Sequence, residues 1–138
     1  AGAAVGPSPS EQGWFDIGLL PEGEEDPLLG PLGVGYHAFE WHHYGFEMPP
    51  GSVPLARNAA ANQAYRVGPA AWGMQFHIEV DRPTVEWWMS VGEWNLDEHD
   101  VDKKHMRAET ERRADANADA AAALARRFVA IAREHRSA

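Results

Sequence analysis

The feature that most constrains this sequence is a change of character near residue 81. Before it, short segments rich in aromatic and β-branched residues alternate with Gly and Pro, a pattern typical of strands and turns. After it, the sequence is rich in alanine and charged residues and favours helices. The predicted strands are 13–20, 34–46, 53–57, 62–67 and 72–80. For a complete domain, strands followed by helices would suggest an α+β fold.

The first predicted helix begins just after Asp81. This residue can cap the helix, and Pro83 suits its first turn. Val85, Trp88 and Met89 follow at the i, i+3, i+4 spacing of an apolar stripe. We therefore expect a helix that packs on the strands through this face.

The C-terminal part divides by composition into two segments. Residues 97–119 are charged and alanine-rich with a weak apolar stripe, so we predict a connector or a solvated helix there. Residues 120–138 are predicted to form an amphipathic helix, with one face made by Leu124, Phe128 and Ile131. One domain is expected over 1–138, with a strand-rich catalytic part at 1–96.

Composition excludes several classes of function. The chain has 138 residues and a formal net charge of −9, which argues against binding to the phosphate backbone of nucleic acid. It has no cysteine, so disulfides, thiolate metal sites and a cysteine nucleophile are excluded within it. No apolar run approaches the roughly 18 residues of a membrane span, and a cytoplasmic location is the default expectation.

The segment 72–80 carries the clearest chemical signal. In an extended strand, Gln75, His77 and Glu79 share one face, and the opposite face is apolar. Residues two apart are about 6.5 Å apart along a strand, a gap that a glutamate can span. Glu79 could accept the Nδ1 proton of His77 and leave Nε2 to take a proton from a nucleophile. The predicted apolar face consists of Met74, Phe76, Ile78 and Val80.

Such a pair on its own is more often an exposed polar contact, but the surrounding motifs favour catalysis. The run Gly-Met-Gln-Phe-His-Ile-Glu at 73–79 resembles the Gly-x-Gln-Phe-His-Pro-Glu run of class I (triad-type) glutamine amidotransferases. Further resemblances occur in the family's order. Gly-Trp-Phe-Asp-Ile at 13–17 resembles the family's Gly-Trp strand, and Asp-Pro-Leu-Leu at 26–29 resembles its Asp/His-Pro-Leu-Phe element. Phe-Glu-Trp-His at 39–42 resembles its Phe-Gln-Trp-His motif, and Asn-Gln-Ala-Tyr-Arg at 62–66 resembles its Asn-Gln-Ala-Phe-Arg strand.

The resemblance implies a fold and an activity. The fold is α/β, the C-terminal half of a three-layer flavodoxin-like amidotransferase domain with mixed strands followed by C-terminal helices. The activity is hydrolysis of the glutamine amide, with ammonia released to a synthase partner and no cofactor. In a Cys-His-Glu triad, His77 would be the general base and acid, and Glu79 would orient it. Trp41, His42 and His43 would lie at the glutamine pocket.

Two features depart from the family pattern. Ile78 replaces the proline between the histidine and the glutamate. The Gly-x-Cys-x-Gly elbow of the family would precede the segment that begins here at 1–7, so we expect a half domain that needs an N-terminal half and is inactive alone. The alternative is a catalytically inactive, amidotransferase-like interaction module.

A second alternative is a cupin-like, metal-binding β protein. Its ligands would be His42, His43 and Glu47, with His77 from a later strand, a set that suits zinc, manganese or iron. Adjacent residues of a strand point to opposite faces, so at most one of the paired histidines could face a common ion. The preferred interpretation therefore includes no metal.

Overall fold

The computed structural model describes residues 2–136, and for residues 93–95 and 136 it describes the backbone only. The strands are β1 (Val5–Asp16), β2 (His37–Phe46), β3 (Val53–Arg57), β4 (Asn62–Val67) and β5 (Ala71–Met74). The helices are α1 (Pro21–Glu24), α2 (Arg82–Val91), α3 (Glu93–Glu98) and α4 (Lys103–Arg136). A short 3-10 turn covers Gly30–Leu32.

The strands form two antiparallel sheets that meet at isolated bridges. β1 pairs with β2, while β3, β4 and β5 form a three-stranded sheet in that order. Leu19 bridges to Ala56, and Phe39 bridges to His77. The chain is therefore a mixed α/β unit with helices at its C-terminal end, as the sequence predicted.

The predicted strands 53–57 and 62–67 are confirmed at the same boundaries. β1 differs from the predicted strand 13–20, because it begins at Val5, in a Gly- and Pro-rich stretch, and ends at Asp16. Proline lacks the N–H that a central strand needs, but an edge strand tolerates it. Pairing with β2 therefore extends β1 beyond the local propensity of its residues.

The predicted strand 72–80 is only partly a strand, because β5 ends at Met74. Beyond it residues 75–80, which we call the crossing segment, pass from one sheet to the other. Gln75 N donates to Gln63 O at 2.8 Å, and His77 N donates to Phe39 O at 2.8 Å. The predicted alternation persists through this crossing. The residues that point inward are Phe76, Ile78 and Val80, with 5%, 8% and 2% exposure. Met74 is 38% exposed and does not belong to the buried face.

Two apolar clusters form the core. The first lies between the sheets and includes Ile17, Leu28, Leu29, Ala38, Leu55, Ala56, Ala64, Phe76 and Ile78. The second lies under the helices and includes Phe39, Val80, Val85, Met89, Leu96 and Met106. The predicted cap of α2 is confirmed, because Asp81 Oδ1 accepts from Thr84 N at 2.9 Å. Within the described residues, no helix is long and apolar enough to cross a bilayer.

α4 spans both C-terminal segments that composition had separated, since it continues through residues 119 and 120. Its first half contacts β1 through Thr110, whose Oγ1 accepts from Trp14 Nε1 at 2.9 Å. In its second half, Leu124 and Ile131 pack against the first core cluster. Phe128 remains 45% exposed but lies with its ring 6.2 Å from that of Trp72.

Asn117 links α4 by hydrogen bonds to the segment that carries His77. Its Nδ2 donates to the carbonyls of Ile78 at 2.8 Å and Val80 at 3.1 Å, and its Oδ1 accepts from the Tyr36 hydroxyl at 2.7 Å. The side chain is buried. Asn117 is the polar link between this helix and the crossing segment.

Asn117→Ala is expected to lower the free energy of unfolding by about 3 kcal/mol, because it leaves several buried polar groups without partners. Urea denaturation followed by circular dichroism measures this change. Asp119→Ala, at an exposed position on the same helix, is expected to stay within about 0.5 kcal/mol of the unchanged chain. Equal effects of the two substitutions would contradict the role of Asn117.

Candidate active site

The crossing segment presents His77 and Glu79 on its outer side as a hydrogen-bonded pair. Nδ1 of His77 donates to Oε1 of Glu79 at 2.7 Å. The imidazole is 32% exposed and the carboxylate 65% exposed. With the Nδ1 proton held by the carboxylate, Nε2 carries the lone pair and can accept a proton from a group above it. The geometry suits a general base, and the catalytic role remains a prediction.

Strand β2 and helix α2 hold His77 in position. Its backbone is bridged to Phe39 in β2, and the ring of Trp88 from α2 lies edge-on, with centroids 4.8 Å apart and planes at 80°. Ile78, which stands where the family run has proline, buries its side chain in the core. The substitution therefore keeps the outward direction of both flanking side chains.

A shallow, mainly apolar cleft of about 280 Å³ adjoins the imidazole. It is lined by Trp41, Trp87, Trp88, Val91 and Gly92 together with His77. The rings of Trp41 and Trp88 meet edge-on at 5.8 Å. A side chain at Gly92 would collide with Trp41, since its Cβ would lie 2.8 Å from Cζ2 of that ring. Glycine here allows α2 to end against the cleft wall.

The three residues predicted to lie at the glutamine pocket point in different directions. Trp41 lines the cleft beside His77. His42 is buried, and its ring points into a polar cluster formed by residues of both sheets. His43 is exposed, with its ring 5.0 Å from that of Tyr44 and 6.1 Å from that of His99. Of the three, the structure brings Trp41 next to the imidazole.

The polar cluster that contains His42 joins residues of both sheets, and we call it the inter-sheet cluster. Its members are Glu11, Glu40, His42, Asn58 and Gln63. Glu11 Oε2 accepts from His42 Nε2 and from Gln63 Nε2, each at 3.1 Å. Glu11 Oε1 accepts from Asn58 Nδ2 at 2.6 Å. Oε2 of Glu40 lies 3.3 Å from the same His42 nitrogen. Two carboxylates thus compete for one imidazole N–H.

Burial and charge have opposite effects on the pKa values of Glu40 and His42. Burial raises the pKa of Glu40, while contact with His42 lowers it in part. Burial would lower the pKa of His42, but the hydrogen bonds and charges of Glu11 and Glu40 outweigh it and raise the pKa to about 9. Imidazolium is therefore the form that the two carboxylates stabilise.

The side chains that lie close enough to share a metal ion differ from those expected for the cupin-like alternative. Within the described residues, the set with ligand atoms within 4.8 Å of one another is Glu11, Glu40 and His42. His43, Glu47 and His77 do not belong to it. Glu40 occupies the position of the glutamine in the Phe-Gln-Trp-His motif, so an ionisable carboxyl group replaces a neutral amide there.

Several residues that shape the site could not be predicted from sequence patterns. Glu11 lies 31 positions before His42, and Asn117 lies 39 positions after Ile78. Neither belongs to a recognisable local pattern. Trp88 was predicted as part of an apolar helix stripe, but its contact with the imidazole follows from the packing of α2 across the crossing segment.

Comparison with known proteins supports this architecture. No protein-family model and no curated protein matches the sequence. A glutamine amidotransferase from Thermotoga maritima superposes with a TM-score of 0.81 at 24% identity, over 93% of this chain and 55% of that one. A glutamine amido transferase from Methylobacillus flagellatus superposes with a TM-score of 0.78 at 26% identity, over 94% and 56% respectively. The chain has the fold of half a glutamine amidotransferase domain.

The chain spans about 55% of the length of the solved structures that it matches. The coverage agrees with the prediction of a C-terminal half, and the predicted α/β fold class is confirmed. On this fold, the His77–Glu79 pair and the cleft beside Trp41 are the candidate site.

Proposed function

We propose that this chain supplies the histidine and glutamate of a Cys-His-Glu triad that hydrolyses the side-chain amide of glutamine. The observation that carries the proposal is the 2.7 Å contact from His77 Nδ1 to Glu79 Oε1, in a chain with the fold of half an amidotransferase domain. This contact sets the tautomer in which Nε2 accepts a proton.

The proposed reaction needs a thiol from an N-terminal half. Nε2 of His77 takes the thiol proton while sulfur attacks the amide carbon of glutamine. The resulting imidazolium, stabilised by Glu79, returns the proton to the departing nitrogen, so that ammonia leaves and a thioester remains. Water then attacks the thioester, His77 again transfers the proton, and glutamate is released with the thiol restored.

The chain has no cysteine, so the nucleophile must come from sequence outside these residues. The proposed partners are an N-terminal half that carries the elbow and a synthase that consumes ammonia. The chemistry requires no cofactor. The cytoplasm is the proposed location.

Complementation tests this function. The chain is mixed with a cysteine-bearing N-terminal half of a class I amidotransferase, and ammonia release from glutamine is followed. We expect release from the mixture, and none from either half or from a mixture in which the cysteine of the added half is alanine. A stable 1:1 complex that releases no ammonia would contradict the proposal.

That same inactive complex would support a second candidate, a non-catalytic interaction module. The observation in its favour is the apolar surface beside His77, where Trp87 is 60% exposed and Val91 is 56% exposed. Exposed aromatic residues of this kind are common at protein interfaces. Binding without turnover separates the two functions.

A further inference from the structure

We infer that the inter-sheet cluster binds a divalent transition-metal ion through Glu11, Glu40 and His42. One ligand atom of each of the three residues lies within 4.8 Å of a ligand atom of the other two. The nitrogen is 3.1 Å from the Glu11 oxygen and 3.3 Å from the Glu40 oxygen. Ligand atoms about 2.1 Å from a tetrahedral ion are about 3.4 Å apart, so these two distances suit ligands of one shared ion.

The hydrogen bonds of the cluster are incomplete, which points to a further bound group. Within the described residues, the buried side-chain atoms without an aligned hydrogen bond all belong to it: both oxygens of Glu40, Nδ1 of His42 and Oε1 of Gln63. Glu40 and Gln63 are both 0% exposed. Buried polar atoms are nearly always paired, so the three unpaired oxygens of Glu40 and Gln63 indicate a bound group that could contact them.

Gln63 supplies an observation independent of the three charged ligands. It comes from β4, in the other sheet, and its Nε2 donates to Oε2 of Glu11 at 3.1 Å. The amide is thereby held against the cluster, while its oxygen is left without a partner among the described residues. An amide oxygen is a suitable ligand for a divalent ion, either directly after rotation or through a bound water.

A divalent ion can also balance the charge of the cluster. When both are ionised, Glu11 and Glu40 carry two negative charges, and a proton on His42 offsets one of them. A divalent ion held by both carboxylates and a neutral imidazole offsets both. Buried charges are stable when they are paired or bound to metal, so a divalent ion leaves no charge of the ionised cluster unbalanced.

The ligand types indicate which ions fit. One imidazole with two carboxylates suits zinc or manganese, and the absence of cysteine from the sequence removes the soft thiolate ligands that select copper(I). The ion would join β1 to β2 and lie against β4, so its effect would be on stability. The site goes beyond the proposed triad and supplies none of its reacting groups.

Zinc retention and melting of the complete chain test the inference. The chain is refolded without metal, incubated with Zn²⁺ and dialysed, and bound zinc is counted by mass spectrometry. We expect retention of about one Zn²⁺ per chain and a rise in Tm of about 5 °C or more. Glu40→Gln is expected to lose both effects. Glu47→Gln makes the same chemical change at an exposed position and should behave like the unchanged chain.

Metal-free Glu40→Gln provides a control for folding. It removes a buried carboxylate, so it should melt no lower than the metal-free unchanged chain. A chain that retains no zinc, or a Glu40→Gln variant that retains as much as the unchanged chain, would overturn the inference. If that variant fails to fold, Co²⁺ bound to the unchanged chain decides: intense tetrahedral absorption bands are expected, and a weak octahedral spectrum would overturn it.

Discussion

His77→Ala is expected to lower ammonia release by the reconstituted domain about 10²–10⁴-fold, the usual contribution of a general base. The imidazole is the proton acceptor that the outer face of the crossing segment presents, with Nδ1 held at 2.7 Å by Glu79. Alanine removes the acceptor for the thiol proton and the donor for the departing ammonia. Both the formation and the breakdown of the tetrahedral intermediate should therefore slow. Steady-state assays with saturating glutamine measure the effect.

Two companion variants make this result specific. Glu79→Gln keeps the size of the side chain but loses the charge that stabilises the imidazolium, so the rate should fall roughly 10²-fold or more. His135→Ala, at an exposed position of α4, should leave the rate unchanged. Full activity of the His77→Ala domain would remove the proposed mechanism, whatever the other variants show.

Gly23→Ala is expected to cost about 3 kcal/mol of stability or more and to lower Tm by about 10 °C. Gly23 lies in α1, where this helical turn presses on β3. An added Cβ would fall 1.9 Å from the carbonyl oxygen of Leu55 and 2.9 Å from its carbonyl carbon. The obstacle is backbone, which cannot rotate away as a side chain can. The same carbonyl accepts from Leu20 N at 2.8 Å, so moving α1 away would also break this bond.

Gly6→Ala is the matched control for that substitution. A Cβ at Gly6 would meet no atom within 4 Å, and its backbone does not adopt the left-handed conformation. Its effect on stability should stay within about 0.5 kcal/mol. Thermal denaturation of the two variants side by side measures the difference. A Gly23→Ala chain that melts with the control would show that α1 can shift without cost.

Sequence patterns predicted the local features of this fold well. Alternation of polar and apolar residues placed Phe76, Ile78 and Val80 inside and His77 with Glu79 outside, because burial of one face requires that period. The helix that follows Asp81 was predicted from its cap and its apolar spacing. These features depend on residues that are close together in the chain, so local sequence patterns are enough to predict them.

Features that depend on distant residues were not predictable in this way. The crossing segment looks like a continuous strand, yet it leaves β4 after Gln75 and joins β2 at His77, because Phe39 O is there to accept the backbone N–H. The ion pairs of His42 depend on Glu11 from another strand. Asn117 lies in an alanine-rich helix and shows no periodic signal for burial. Tertiary packing decides each of these contacts.

The tautomer of His77 tests the central claim most directly, because the account requires Glu79 to hold the Nδ1 proton. Nitrogen-15 NMR of the chain with labelled histidine distinguishes the two ring nitrogens at a pH where the imidazole is neutral. We expect a protonated Nδ1 and a bare Nε2 for His77, and a shift toward the Nε2–H form in Glu79→Ala. A His77 ring with its proton on Nε2 in the unchanged chain would contradict the account.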